Sequence, residues 1–249
     1  DGDDGVLLAE ALLSCLETVV DRELTGFAAG NNLGDFVKAI VVSKLFHMID
    51  PALNTYTDDT IYVGVILEDF DSVNNNRFTV NHKEVTSDNT DMADGLSGVL
   101  FTRGRKDNDC GKIMMWAWAA MRVMDFLETR EEVDLDCVTV CGHSRLGKTA
   151  LLAAATDERF AFAHSNDSGC CGAAITRGKI GEQPSDICRV FPYWFCENYL
   201  KYSDNVDLLP FDQHWLIASI APRFVSVASA IDDKWADPDS EFLSCVAAS

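Results

Sequence analysis

The sequence predicts an α/β protein, a three-layer sandwich around a mostly parallel sheet. Two observations predict it. Short apolar, β-branched runs at residues 61–67, 137–141, 160–164 and 224–230 are separated by longer stretches of helical periodicity. Strands that recur between helices of that length pair in parallel beneath a helical cover. The run at 137–141 stops at Gly142 and is soon followed by an alanine-rich helical stretch. Such a strand, turn and helix aims backbone N–H groups and a helix N-terminus at whatever sits above the turn.

The 249 residues, 47% of them hydrophobic, suffice for one large α/β domain with a buried core. A formal net charge of −20 repels nucleic-acid backbones and anionic membranes, so neither is expected as a partner. The nine cysteines are an odd number and include the vicinal pair Cys170-Cys171, which forms no relaxed bridge with itself. They lean towards a reducing compartment, cytoplasmic ahead of periplasmic or secreted. They include no C-x-x-C pair, and His47, His82 and His164 have no partner at ligand spacing, so no metal site is expected. The chain starts Asp-Gly-Asp-Asp, with no visible signal peptide, and has no apolar run long enough to span a membrane.

In chain order, apolar residues at helical spacing predict amphipathic helices at 5–20 and 35–48, separated by a Gly/Asn-rich break at 26–34. A loop at 51–60 leads to a buried strand at 61–67 despite Gly64. A polar turn at 69–76 precedes a second strand at 78–85. Two turn-rich loops, 86–95 and 103–111, then flank a segment left unassigned; long loops beside strands often line sites. Residues 112–128 form a strong helix, with Ile113, Trp116, Ala117, Ala120, Val123, Met124 and Leu127 on one core-filling face. After the strand at 137–141 and its turn, a helix continues over 149–156 and a strand follows at 160–164. Residues 170–189 read as an irregular loop and 190–199 as an aromatic stretch. A helix at 212–220 and a strand at 224–230 follow, and a last helix has barely begun at Ser249. Residues 1–82 form the N-terminal part of the α/β domain and 83–249 its core.

Two readings compete for the central turn. Gly142 to Thr149 satisfies G-x-x-x-x-G-K-[ST], the phosphate-loop pattern of nucleotide-binding proteins. Its interior, His-Ser-Arg-Leu, lacks the extra glycine that lets successive N–H groups close round an anion. The other reading is a nucleophile elbow with Ser144 at its tip, although Gly147 stands three residues after the serine where two is usual. Asp167 follows the next strand, and Asp232 and Asp233 follow a later one. This matches the Ser, acid, His order of the α/β-hydrolase fold.

Five blocks in order, Gly142-His-Ser-Arg-Leu-Gly-Lys-Thr-Ala150, Asn166-Asp-Ser-Gly169, Leu209-Pro-Phe-Asp-Gln-His214, Ile220-Ala-Pro-Arg223 and Trp235-Ala-Asp-Pro238, resemble the glucuronoyl esterases of carbohydrate esterase family 15, especially its bacterial branch. The resemblance runs from about residue 83 to the end; the first 82 residues match poorly. It implies a metal-free, cofactor-free serine hydrolase that cleaves esters between the 4-O-methyl-glucuronic acid branches of xylan and lignin alcohols.

By the same resemblance Ser144 is the nucleophile, Arg145 supports the oxyanion and Lys148 contacts uronate hydroxyls. Glu182 and Trp235 match the sugar-binding glutamate and tryptophan. Asp233 is preferred as the orienting acid, with Asp167 and Asp232 as alternatives, while His143 and Asp212 read as structural. Cys171 stands where relatives usually have glycine. The family's catalytic histidine and the closing strand and helix are expected beyond Ser249, so little turnover is expected of these 249 residues by themselves. A phosphate-loop protein and an inactive carbohydrate-binding relative are the alternatives. Cations at a helix start argue for an anionic ligand. The oligomeric state is left open.

Overall fold

The computed structural model describes residues 60–65, 77–131 and 133–249, with side chains from residue 80 onward. All of them belong to one unit, Asp58–Ser249. The helices expected at 5–20 and 35–48, the break between them and the turn at 69–76 lie outside the described residues.

One sheet carries five strands, β1 (Thr60–Val65), β2 (Arg77–Asn81), β3 (Val138–His143), β4 (Phe162–Asn166) and β5 (Phe224–Ala228), in the order β2-β1-β3-β4-β5. β1 pairs antiparallel with β2 and β3, whereas β3, β4 and β5 are parallel. Four of the five described strands therefore run the same way and only β1 is reversed. The register aligns His143 with Asn166 and Asn166 with Ala228. The carboxyl ends of the three parallel strands thus finish side by side, where α/β sheets place their sites.

The strand expected at 78–85 stops at Asn81. There the Asn81 side chain accepts from the Lys83 N–H at 3.0 Å and caps the short helix α1 (His82–Val85). Asparagine is among the best N-cap residues, and the His-Lys-Glu that follows has no strand alternation to oppose it. Helix α2 (Gly95–Leu100) lies in the unassigned stretch between the two loops. Helix α3 (Lys112–Leu127) matches expectation, with Ile113, Trp116, Ala117, Ala120, Met124 and Leu127 buried. The Trp116 indole N–H donates to the Thr86 carbonyl at 3.2 Å, tying α3 to the start of the 86–95 loop.

Helix α4 (Arg145–Thr156) begins one residue after β3 ends. β4 lies two residues later than expected, because Phe160, fully buried, belongs to the turn before it. Helix α5 (Pro184–Val190) ends the stretch expected to be irregular; its start is set by a Gln183/Asp186 capping box and Pro184 at its first position. A short turn of helix, α6 (Glu197–Leu200), follows the aromatic stretch. Helix α7 (Gln213–Ala218) is capped by Asp212, whose carboxylate also accepts from the Thr176 N–H at 2.6 Å. Helix α8 (Pro238–Ala248) is three turns long, although the sequence reading had it barely begun. Pro238 at the first position and the Asp237 cap start it earlier than its weak apolar periodicity suggests.

One core joins Val138 and Val140 of β3 and Ala163 of β4 to Trp116, Ala120 and Met124 of α3 and to Leu146, Ala150 and Leu151 of α4. Each large buried side chain contributes about 1.5–3 kcal/mol, and together they fix α4 against the sheet directly behind Ser144. No helix among the described residues is long and apolar enough to cross a membrane.

Candidate active site

Ser144 is the single residue between β3 and α4, and its backbone sits at φ 54°, ψ −122°. L-residues rarely adopt that conformation, and it costs on the order of 1–3 kcal/mol unless the surroundings enforce it. Here they do. The Ser144 N–H donates to the Asn166 carbonyl at 2.9 Å, and the Ser144 carbonyl accepts from the Gly147 and Lys148 N–H groups at 2.9 and 3.2 Å. The sharp strand-to-helix turn has the shape of a nucleophile elbow, with Ser144 at its tip.

Both glycines of the motif have packing causes. A Cβ on Gly142 would collide with the Leu146 backbone. A Cβ on Gly147 would lie 3.0 Å from Ser165 Oγ and from Ser168 Cβ, and 3.2 Å from the Asn166 carbonyl. The helix packs this closely on β3 and β4 only because those side chains are missing. Residues 142–149 do not form a phosphate loop: a nest for phosphate needs several inward N–H groups, and one residue spans the gap here. Lys148 is also buried, with its ammonium donated to the Ser168 carbonyl rather than offered to a ligand phosphate.

Arg145, the first residue of α4, ion-pairs with Asp88, from the first of the two turn-rich loops. Its guanidinium lies 5.4 Å from the centroid of the Trp194 ring. Asp88 further accepts from the Trp194 indole N–H at 2.7 Å and from the Tyr193 hydroxyl at 3.1 Å, and lies 3.9 Å from His82 Nε2. Burial works against its charge, but the His82 and Trp194 donors, the Arg145 charge and Tyr193 outweigh it and hold the carboxyl well below its usual range. Burial beside Asp88 in turn pushes the Tyr193 hydroxyl up to about 12. The Arg145 Nε–H is buried and has no partner among the described residues.

Lys148 lies one helical turn beyond Ser144. Burial pushes its ammonium below the usual lysine range, against the pull of the Cys171 and Cys170 thiols and of Glu182 and Glu241. Glu182 is pushed up by burial, opposed by the Lys148 charge and by a hydrogen bond with the Trp235 side chain. Its backbone N–H donates to the Trp235 carbonyl at 2.9 Å. The Trp235 ring is 59% exposed, a flat apolar face beside the Glu182 carboxylate. Of the three residues expected to hold the sugar, Glu182 and Trp235 are thus joined to each other, and the Lys148 charge acts on Glu182. The cations at the helix start, expected to await an anionic ligand, are both met from within: Arg145 by a carboxylate and Lys148 by a carbonyl.

Asp167, at φ 43°, follows β4; its N–H donates to the Ala228 carbonyl at 2.7 Å and its Oδ1 accepts from the Ala230 N–H at 2.6 Å. It therefore joins the ends of β4 and β5 next to the elbow. Asp233 is exposed farther along the loop after β5. Its Oδ1 accepts from the Trp235 and Ala236 N–H groups at 3.1 and 3.0 Å, so it shapes the turn that presents Trp235. Three described histidines have polar partners: His82 faces Asp88, His143 Nδ1 lies 2.7 Å from Asn166 Nδ2 and His164 Nδ1 3.1 Å from Ser226 Oγ, whereas His214 meets Trp215 edge-on and its buried Nδ1 has no hydrogen-bond partner among the described residues. Cys171 adopts φ 58°, a conformation that glycine takes freely, and its thiol lies 3.1 Å from the Tyr199 hydroxyl.

Asp88, Trp194 and Glu241 escape the sequence reading. Glu241, fully buried in α8, accepts from the Gly169 N–H at 2.7 Å, from Ser168 Oγ at 3.1 Å and from Ser229 Oγ, stitching the loops after β4 and β5 together. The signal for Asp88 and Trp194 was compositional only, an acidic loop and an aromatic stretch. No sequence pattern marked Glu241.

A family model described as fungal glucuronyl esterase matches residues 62–249. A carbohydrate esterase from an unknown prokaryotic organism is 52% identical over 133 residues, 53% of this chain and 31% of that protein. A 4-O-methyl-glucuronoyl methylesterase of Podospora anserina is 30% identical over 61% of this chain and 35% of its own length. The solved glucuronoyl esterase of Solibacter usitatus superposes with a TM-score of 0.65 at 42% identity, over 70% of this chain and 45% of that one. The chain spans a third to under half of the length of these relatives. The match over residues 62–249 and the elbow at Ser144 lead to the same conclusion: the chain belongs to the glucuronoyl esterase family, on an α/β-hydrolase fold.

Proposed function

We propose that this chain carries the nucleophile, oxyanion and sugar-binding part of a serine esterase acting on esters of glucuronic acid, including 4-O-methyl-glucuronoyl esters of xylan. The observation that carries the reading is the strained Ser144 at the tip of a strand-to-helix turn, with Arg145 beside it. The group of Lys148, Glu182 and Trp235 accompanies it. A uronate offers hydroxyls to the carboxylate and a flat ring face to the indole. Podospora anserina's relative is named for 4-O-methyl-glucuronoyl ester cleavage, which supports the same substrate class.

In this reading Ser144 Oγ attacks the ester carbonyl carbon and its proton passes to a base. The oxyanion that forms is met by the Arg145 guanidinium and the first N–H groups of α4. The C–O bond to the alcohol breaks, and the alcohol takes the proton as it leaves. Water then attacks the acyl-enzyme, releasing the uronic acid and restoring the serine. Asp233 orients the base, with Asp167 as the second position for that acid. The base in this reading is a histidine from outside the described residues; among the described ones His82 faces Asp88, His143 faces Asn166 and His164 faces Ser226.

The test is release of uronic acid from methyl and benzyl glucuronate by the full-length protein, which supplies the histidine, and by its Ser144→Ala variant. Loss of turnover in the variant is expected, and equal turnover sinks the reading. Asp233→Asn and Asp167→Asn, assayed alongside, assign the acid by which one loses more in kcat.

A further inference from the structure

Arg145 is a long, flexible side chain asked to meet a charge that exists only in the transition state, and such a donor helps only if it is already in place. The structure supplies an anchor for it. One guanidinium nitrogen, Nη1, is bonded to Asp88, and the guanidinium lies over the Trp194 ring. The Nε–H stays buried and unpartnered among the described residues. A buried donor without a partner is costly, and native structures keep few of them outside sites of function.

Asp88 is itself anchored on two sides. Trp194 Nε1 and Tyr193 OH donate to it from one side. On the other side, the loop that carries it is folded round the ammonium of Lys112. Lys112 is fully buried at the start of α3. Its Nζ donates to the Ser87 and Asp91 carbonyls at 2.6 and 2.7 Å, and lies 3.3 Å from Asp94 Oδ1 and 3.5 Å from Asn89 Oδ1. Oxygens from four residues of one short loop converge on a fixed internal cation. The loop's shape, and with it the direction of the Asp88 carboxylate, is set before any substrate arrives.

We propose that Asp88 is a positioning residue for the ester-cleaving site, clamping Arg145 so that its remaining N–H donors face the developing oxyanion, with the 87–94 loop built on Lys112 as the foundation of the clamp. The inference rests on the esterase reading for its catalytic consequence, and on the Arg145 geometry alone for the clamp. Asp88 takes no part in bond making. Removing its charge leaves the sugar-holding group of Lys148, Glu182 and Trp235 untouched, so kcat falls while KM stays.

The experiment compares, in the full-length protein, wild type, Asp88→Asn, Asp88→Glu, Arg145→Ala and the Asp88→Asn/Arg145→Ala double variant on benzyl glucuronate. Asp88→Asn is expected to lower kcat about tenfold or more with KM changed less than about threefold. Asp88→Glu should recover part of the loss, and Asp88→Asn should add nothing in the Arg145→Ala background. Unchanged kcat, or the same loss with and without Arg145, overturns the proposal. Should Asp88→Asn fail to fold, Tyr193→Phe removes one donor from Asp88 without touching Arg145, and a smaller fall in kcat at constant KM is expected.

Nitrogen NMR of the Arg145 guanidinium reads the clamp without turnover. Separate, slowly exchanging Nη signals are expected in wild type and averaged ones in Asp88→Asn; averaged signals already in wild type overturn the clamp. A wild type with a rigid Arg145 but no Ser144-dependent turnover would instead sink the esterase reading and leave the clamp standing.

Discussion

Asp88 and Glu241 are both nearly buried carboxylates that gather loops round the same site, and the protein treats their charges in opposite ways. Asp88 faces a guanidinium, an indole N–H and a phenol, and these hold it ionised although burial opposes them. Glu241 receives one backbone N–H and two serine hydroxyls and has the like charge of Asp167 nearby; burial wins and pushes its carboxyl up. The difference matches their tasks. A carboxylate that must aim a cation needs its full charge, whereas one that ties two loops together needs only acceptor oxygens, which a neutral group of the same shape also offers.

The two hubs can be broken separately, and the larger effect is expected on the Asp88 side. Lys112→Met replaces the internal cation by an apolar chain of similar length and leaves the Ser87 and Asp91 carbonyls and Asp94 without it. Removing one partner of a buried charge pair costs about 3–5 kcal/mol; Asp94 is a quarter exposed, so a loss near the lower figure is expected in urea unfolding. A change below about 1 kcal/mol would show that the loop holds its shape without the ammonium. Glu241→Ala ranks next. It strands the Gly169 N–H and the Ser168 and Ser229 hydroxyls, for a loss of about 2 kcal/mol. Faster hydrogen exchange at the Gly169 amide, with α3 amides unchanged, would place that loss in the loops after β4 and β5.

The contrast between the hubs also marks where the sequence could and could not be read. Periodicity locates α3, β3 and β5 closely because burial of one face writes itself into the spacing of Ile113, Trp116, Ala120 and Met124. The elbow was legible because Gly142 and Gly147 are required locally, by a helix pressed against the strand that precedes it. The strand at 78–85 was misread because an asparagine cap outweighs β-propensity at Asn81. The start of the last helix depends on the Asp237 cap, not on an apolar stripe. Asp88 and Glu241 meet partners 57 and 72 residues away, at Arg145 and Gly169. No spacing rule reaches that far, and a lone acidic residue in a chain with 40 of them carries no signal of its own. Lys148, Glu182 and Trp235 came through the resemblance; in the structure Glu182 and Trp235 are bonded to each other and the Lys148 charge acts on Glu182.

The smallest effect gives the sharpest comparison, because it is a slope and not a loss. Glu241 has its folded pKa above the ordinary 4.5, so the folded state binds its proton more tightly than the unfolded chain does. Its contribution to stability therefore falls as pH rises from the ordinary value through the raised one, and is constant beyond. Asp88 has its folded pKa below the ordinary 3.8, so its contribution is complete above that value and is lost as pH drops through the depressed one. Glu241→Gln keeps an acceptor oxygen and cannot ionise; it should leave stability within about 1 kcal/mol of wild type at neutral pH and remove the fall on the alkaline side of 4.5. Asp88→Asn should remove only the acid-side loss. Urea melts of the two variants across the acid-to-neutral range read both slopes, and a Glu241→Gln curve parallel to wild type would mean that folding leaves the Glu241 pKa where it is in the unfolded chain.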